Sequence, residues 1–198
     1  MSTIFDICPN IFNIPLSNTI DQYNRALESC KHTFIEKHKD YGSAWRILRL
    51  PSLTDQMYIK ASRVRSIQET GINKVGESIE GEFKALVNYG IMAGIQYQLG
   101  KPGEENMPQH EVERLYDLVA EKIRSLMLKK NQDYGEAWRD MRVSSITDMI
   151  MVKLLRIKQI EDNNGETQVS EGIEANYFDI VNYALFALIL LEEENPEK

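Results

Sequence analysis

The chain has few of the residues that build metal cages or disulfide frameworks: two cysteines and three histidines among 198 residues. Cys8 and Cys30 stand in no pattern, which fits a reducing compartment rather than a disulfide scaffold or a zinc site. His32, His38 and His110 have no metal-ligand spacing to one another, so a zinc hydrolase or an HD-type phosphohydrolase is not expected. Glycine is missing where phosphate-binding loops need it. Gly100-Lys101-Pro102 lacks the loop of a Walker A sequence, no GxGxxG follows a strand pattern, and no GxSxG elbow occurs. Long apolar runs are absent too. The longest, around Ile180–Leu191, is interrupted by Asn182 and Tyr183 and falls short of the roughly 20 residues of a membrane span. The N-terminus MSTIFDICPN has no basic segment ahead of an apolar block, so no secretory signal is expected. The expected location is cytoplasmic, without a membrane partner.

What is present is an ordinary globular composition, 42% apolar and 27% charged, with an uneven charge. Residues 1–100 hold 11 Lys/Arg and 10 Asp/Glu, whereas residues 101–198 hold 12 and 20, which together give the net charge of −7. An acidic second half disfavours duplex nucleic acid, whose phosphates supply most of such affinity. It is compatible with a hard cation such as Mg²⁺.

The dominant signal is an internal repeat. Asp40-Tyr-Gly-Ser-Ala-Trp-Arg-Ile-Leu-Arg-Leu-Pro-Ser-Leu-Thr-Asp55 aligns without a gap on Asp133-Tyr-Gly-Glu-Ala-Trp-Arg-Asp-Met-Arg-Val-Ser-Ser-Ile-Thr-Asp148, identical at 10 of 16 positions. The register continues through Lys60/Lys153, Arg63/Arg156 and Ile67/Ile160. After one inserted residue it resumes through Glu77/Glu171, Ile79/Ile173, Glu80/Glu174, Asn88/Asn182 and Tyr89/Tyr183. The chain therefore divides into an N-terminal extension (1–17), a first copy (18–99), a Gly/Pro-containing linker (100–109), a second copy (110–191) and an acidic tail (192–198).

Apolar spacing predicts three helices per copy: about Asn18–Lys39, 53–69 and 77–98, then about His110–Gln132, 146–162 and 171–191. Gly42 and Gly135 suit left-handed helix caps. Ser52-x-x-Asp55 and Ser145-x-x-Asp148 read as capping boxes opening the second helix of each copy, and Ser170 as a cap of the last helix. Strand signals are weak. The expected fold is all-α, a six-helix bundle of two tandem three-helix repeats with pseudo-twofold symmetry, much like a homodimer fused into one chain.

Several polar residues sit where apolar ones would be easier to bury. Lys153 and Arg156 interrupt Met149-Ile-Met-Val-Lys-Leu-Leu-Arg-Ile157, and Lys60 and Arg63 repeat them. They read either as core ion pairs that fix helix register or as a phosphate clamp. Glu171 and Glu174 are neighbours on the last helix and read either as dipole-complementing acids or as Mg²⁺ ligands aided by phosphate. Asp179 and Asn182 lie mid-helix among Ile, Val and Phe and point to a ligand-directed role, Asp179 as a further metal ligand. Tyr134 or Trp138 has the chemistry to stack a base, and Arg139 or Arg142 to contact phosphate, although a cap and a packed aromatic pair explain the same motif. The first copy has Ala85 where the second has Asp179, Lys84 for Phe178 and Glu82 for Asn176. The main site is therefore expected in the second copy.

Lys130-Asn131, Asp133-Tyr-Gly135, Lys153-x-x-Arg156, Glu171-x-Ile173 and Asp179-x-x-Asn182-Tyr183 together resemble the nucleotide-modification-associated domain 1 family of bacteria and phages. The resemblance covers roughly 30–98 and 123–191. Family members often carry a further Asp where this chain has Ala175, or Gly81 in the first copy. A looser similarity links Glu171-x-x-Glu174 to the all-α NTP pyrophosphatases. The resemblance implies work near nucleotide pools. The expectation is a phosphorylated nucleotide bound with Mg²⁺, extending to a nucleotide pyrophosphohydrolase in which a metal-bound water attacks. The competing expectation is a non-catalytic helical module for interaction or nucleotide binding. A homo-oligomer is compatible with either.

Overall fold

Each stretch with apolar residues at helical spacing becomes a helix. The structure, a computed structural model, describes residues 16–103, 106–166 and 171–194. The helices are α1 (Leu16–Tyr41), α2 (Leu50–Thr70), α3 (Ile79–Leu99), α4 (Gln109–Tyr134), α5 (Val143–Asp162) and α6 (Ile173–Glu194), with no strand among the described residues. The two Ala-Trp-Arg segments form single 3₁₀ turns, Ala44–Ile47 and Ala137–Asp140. Helices α3 and α6 are apolar nearly all round and lie at the centre, packed on each other and on α2 and α5. By length and composition α6 meets the requirement for a membrane span, yet 78% of its apolar window is buried within the protein. A helix buried on every side needs that composition. The central helices approach closely where glycine allows it. A Cβ at Gly90 would collide with Val181 Cγ2 on α6, and one at Gly94 with Val119 Cγ1 on α4.

Contacts between the copies recur with their roles exchanged. The Tyr23 hydroxyl donates to Asn182 Oδ1 at 2.8 Å, and its counterpart Tyr116 donates to Asn88 Oδ1 at 3.0 Å. Each asparagine then donates to a carbonyl in its own copy, Asn88 to Cys30 at 3.0 Å and Asn182 to Ile123 at 3.4 Å. At the surface Asp55 meets Lys158 at 2.6 Å, and Asp148 meets Arg65 at 3.8 Å. Such reciprocal pairing is the pattern of contacts that an isologous interface has. The buried asparagine amides are thereby hydrogen-bonded, as burial demands.

Local expectations need correction at the helix starts. Helices α2 and α5 begin at Leu50 and Val143, capped by Arg49 and Arg142 without a side-chain hydrogen bond. Ser52 and Ser145 are therefore inside the first turn, and no capping box forms. Pro51, with φ already helical, extends α2 toward its N-terminus, while Asp55 and Asp148 reach across to the other copy's cations. Ser78 does cap α3, accepting from Gly81 N at 3.0 Å. Helix α6 starts at Ile173, so Glu171 precedes the helix rather than complementing its dipole; Ser170 lies outside the described residues. Gly42 ends α1 with φ 59°, its N–H on His38 O at 2.8 Å. Gly135 also has positive φ, but its ψ of −155° places it outside the left-handed helical region, in a conformation that glycine readily adopts. Cys30 is buried, which pushes its thiol up to about 12 and leaves it a packing residue.

A half-buried contact between the copies sets a carboxylate against two hydroxyl groups. Thr54 Oγ1 lies 2.9 Å from Glu161 Oε1 and 2.7 Å from the Tyr177 hydroxyl. Burial raises the Glu161 pKa above the usual carboxylate range, against the opposing hydrogen bonds of Thr54 and Tyr177. The folded state then holds this proton more tightly than the unfolded state. The group's contribution to stability is complete below the ordinary carboxylate pKa and is lost as pH rises through the folded value. Glu161→Gln keeps the accepting oxygen, so it should melt higher than the parent at neutral pH. Below about pH 3, where the glutamate is essentially neutral in both states, the two melting temperatures should coincide. A parent that melts higher at neutral pH would show that the charge is stabilising.

Candidate functional site

Three elements of each copy meet at one place: the end of the first helix, the middle of the second and the middle of the third. In the second copy they bring together Lys130, Lys153 and Asp179. Asp179, 5% exposed, accepts from Lys130 Nζ at 2.5 Å on one carboxylate oxygen and from Lys153 Nζ at 2.7 Å on the other. Burial alone would lower the Lys130 pKa, but the hydrogen bond and charge of Asp179, with the charge of Glu171, outweigh it and raise the value. Here the mid-helix carboxylate and the cation within the apolar run of α5 account for each other.

In the first copy the corresponding residues are Lys37, Lys60 and Ala85. With a methyl group in place of the carboxylate, the space is a cavity of about 660 Å³ whose lining includes Lys37, Lys60, Lys84 and Ala85. Its aromatic walls are Phe34, Tyr41, Trp45 and Tyr89. A second substitution helps to open it. Phe186 stacks on Trp138 at 4.2 Å in the second copy, whereas Met92 stands at that position in the first and lines the cavity beside Trp45. Two lining residues carry unsatisfied polar atoms. Neither His38 Nδ1 nor the Trp45 indole N–H has a hydrogen-bond partner among the described residues, and His38 is 9% exposed. The Trp138 indole N–H of the second copy is likewise without a partner among the described residues, so the buried His38 Nδ1 is the unsatisfied atom that distinguishes this cavity.

Acids border this cavity. Glu82, 1% exposed, meets Lys60 Nζ at 3.1 Å and also Arg63. Glu77 at the rim bonds Arg63 at 2.5 Å and lies 3.9 Å from Lys60. Arg63, and then Glu82, Lys60 and the wider charge of Arg63, lower the Glu77 pKa. The second copy differs, because Asn176 replaces Glu82 and Lys153 turns to Asp179 instead. Arg156 is half-buried and meets no carboxylate among the described residues, so Lys153 and Arg156 do not close on a shared partner as Lys60 and Arg63 do.

The other expected site residues are dispersed. Tyr134 is 76% exposed. Trp138 is buried between Phe186 and the Arg139 guanidinium, 4.4 Å from its ring centre. Arg139 itself is committed. It bonds Glu136 at 2.5 Å, Glu193 at 2.8 Å, and Thr19 and Gln22 at 2.6 Å each. Asn182 is held between Tyr23 and Ile123. Glu171 is exposed, and Glu174 faces Gln98 at 3.5 Å. Among the described residues no three His, Cys, Asp or Glu side chains gather as a metal cage, and two ammonium groups already neutralise Asp179. Glu171, Glu174 and Asp179 thus do not converge on one point among the described residues. Sequence reasoning missed Lys37, His38, Tyr41, Trp45 and Tyr89. The recurrence of lysine at 37 and 130 was the available signal.

The model of the nucleotide modification associated domain 1 family matches residues 37–97 and 130–191, more than half of the chain. Each match begins at the lysine that faces Ala85 or Asp179 and runs past the paired tyrosines, Tyr89 and Tyr183. No curated protein and no solved structure matches the chain.

Proposed function

We propose, from the premise that this chain belongs to the nucleotide modification associated domain 1 family, that it binds a phosphorylated nucleotide in the cavity of its first copy. The observation that carries this reading is the pairing of lysines with aromatic walls around the position vacated by a carboxylate. Lys37 and Lys60 line the cavity together with Ala85, at the positions whose counterparts hold Asp179 in the second copy. A phosphate oxygen is the natural replacement for that carboxylate, because ammonium groups bind both as point charges. Tyr41, Trp45 and Tyr89 offer faces for a base, and about 660 Å³ lies within the usual range of small-molecule sites. Mg²⁺ enters this reading as a companion of the phosphates, held through their oxygens and water, which is its usual mode.

The test is calorimetric titration with each common nucleoside and deoxynucleoside mono- and triphosphate, with and without Mg²⁺. Saturable binding is expected, weakened about 10-fold or more by Lys37→Met and again by Lys60→Met, the loss of roughly one charge-assisted contact each. Absence of binding at millimolar ligand, or binding indifferent to both substitutions, would defeat the reading. Its stronger form is Mg²⁺-dependent pyrophosphohydrolysis, which predicts nucleoside monophosphate and pyrophosphate in the chromatogram. Saturable binding with intact triphosphate would instead leave the protein a nucleotide-binding module.

A further inference from the structure

The two copies answer the same electrostatic problem in different ways. A lysine from the first helix and a lysine from the second face one position on the third. In the second copy that position is Asp179, and each carboxylate oxygen accepts from one ammonium group, at 2.5 and 2.7 Å. In the first copy it is Ala85, and the lysines line a cavity. Lys153 retains only 12% exposure of its side chain, so its charge is stabilised chiefly by Asp179. Lys60 keeps Glu82, and Lys37 is exposed. The carboxylate of Asp179 and one face of a phosphate present the same arrangement to two ammonium groups: two oxygens, negative charge and hydrogen-bond acceptance.

We infer that Asp179 is a built-in occupant of a second, latent anion site, one that takes the same phosphate-bearing class of ligand once the carboxylate is removed. The inference rests on the reading of the first-copy cavity as a phosphate site, and it adds the ligand count. The native chain holds one ligand, in the first copy, because its second site is filled by its own side chain. Phe186 stacked on Trp138 closes the aromatic side of the same space, where the first copy has Met92 beside Trp45. The latent site therefore accepts the phosphate end and leaves less room for a base. A small ligand should show it best.

The experiment is titration of the full chain with inorganic pyrophosphate and, separately, with deoxynucleoside triphosphates. It compares the parent with Asp179→Ala, Asp179→Ser, Ala85→Asp and the double variant Ala85→Asp/Asp179→Ala. The parent should bind one pyrophosphate per chain, Asp179→Ala two, Ala85→Asp none and the double variant one. The single site of the double variant should be lost on Lys130→Met and unaffected by Lys37→Met. If Asp179→Ala does not fold, Asp179→Ser, which also removes the carboxylate and vacates its space, supplies the second count. The Ala85→Asp arm needs no loss of stability and should raise the melting temperature, because the introduced carboxylate would pair with Lys37 and Lys60 as Asp179 does with Lys130 and Lys153. A parent that binds one ligand while both Asp179 variants still bind one would overturn the latent site and leave the first-copy reading intact. Loss of the parent's binding in Asp179→Ala would also overturn it, since the carboxylate would then serve the ligand rather than exclude it. A parent that binds nothing would defeat the first-copy reading. In that case a single pyrophosphate gained by Asp179→Ala, and lost on Lys130→Met, would still establish the latent site.

Discussion

Arg139→Ala should destabilise the protein by about 3–5 kcal/mol, the usual cost of removing one partner from a buried, hydrogen-bonded ionic network. The guanidinium, 11% exposed, joins four side chains from three separate parts of the chain: Thr19 and Gln22 on α1, Glu136 before the 3₁₀ turn, and Glu193 at the end of α6. Without it Glu136 and Glu193 lose their cation, and the buried Thr19 and Gln22 lose an arginine hydrogen bond. The Trp138 ring also loses the cation over its face. Arg139→Lys should recover only part of the loss, because an ammonium group cannot satisfy four directions with a planar fork. Urea unfolding gives the comparison: the midpoint should fall with an unchanged slope. An unaltered midpoint accompanied by lost nucleotide binding would show that Arg139 is a ligand residue after all.

Glu82→Gln should separate stability from binding. Glu82 is buried against Lys60 and Arg63, and both cations lose their principal partner when its charge is removed. Because Lys60 and Arg63 keep 26% and 22% exposure and Glu77 remains close, the loss should be about 2–3 kcal/mol, below the full cost for a sealed pair. The same change removes the negative charge that competes with phosphate for Lys60. Nucleotide affinity should therefore rise, by about threefold to tenfold for a release of roughly one kcal/mol. Denaturant titration and calorimetry on one preparation would read both. Affinity that falls with stability would mean that Glu82 supports the ligand directly.

The fold was legible because periodicity and duplication are properties of neighbouring residues. Apolar stripes located six helices, and the repeat around Asp40 and Asp133 set their register. Helix starts were less legible, since Ser52-x-x-Asp55 fits a capping box until Asp55 is seen to meet Lys158 from the other copy. In the sequence Lys153 stands out as a cation in need of a partner, and Asp179 as a carboxylate in need of one. That they satisfy each other depends on α5 packing against α6. Arg139 resembled a phosphate reader because its partners on α1 lie more than a hundred positions away. The cavity was the least legible feature. It arises from what Ala85 and Met92 do not fill, and volume left empty has no sequence pattern of its own.

Ala85 and Asp179 also bear on what covalent fusion permits. When two identical subunits associate, every substitution appears on both sides of the axis, so a plug in one site is a plug in both. A single polypeptide carrying both halves escapes that constraint. One half can specialise in holding a guest while the other devotes the same coordinates to internal cohesion, and neither change is copied to its counterpart. The pairs Tyr23–Asn182 and Tyr116–Asn88 join the halves, and the covalent link between them keeps any difference between the two sites within one molecule. On the proposed reading, stoichiometry becomes a property written at one codon rather than one imposed by symmetry.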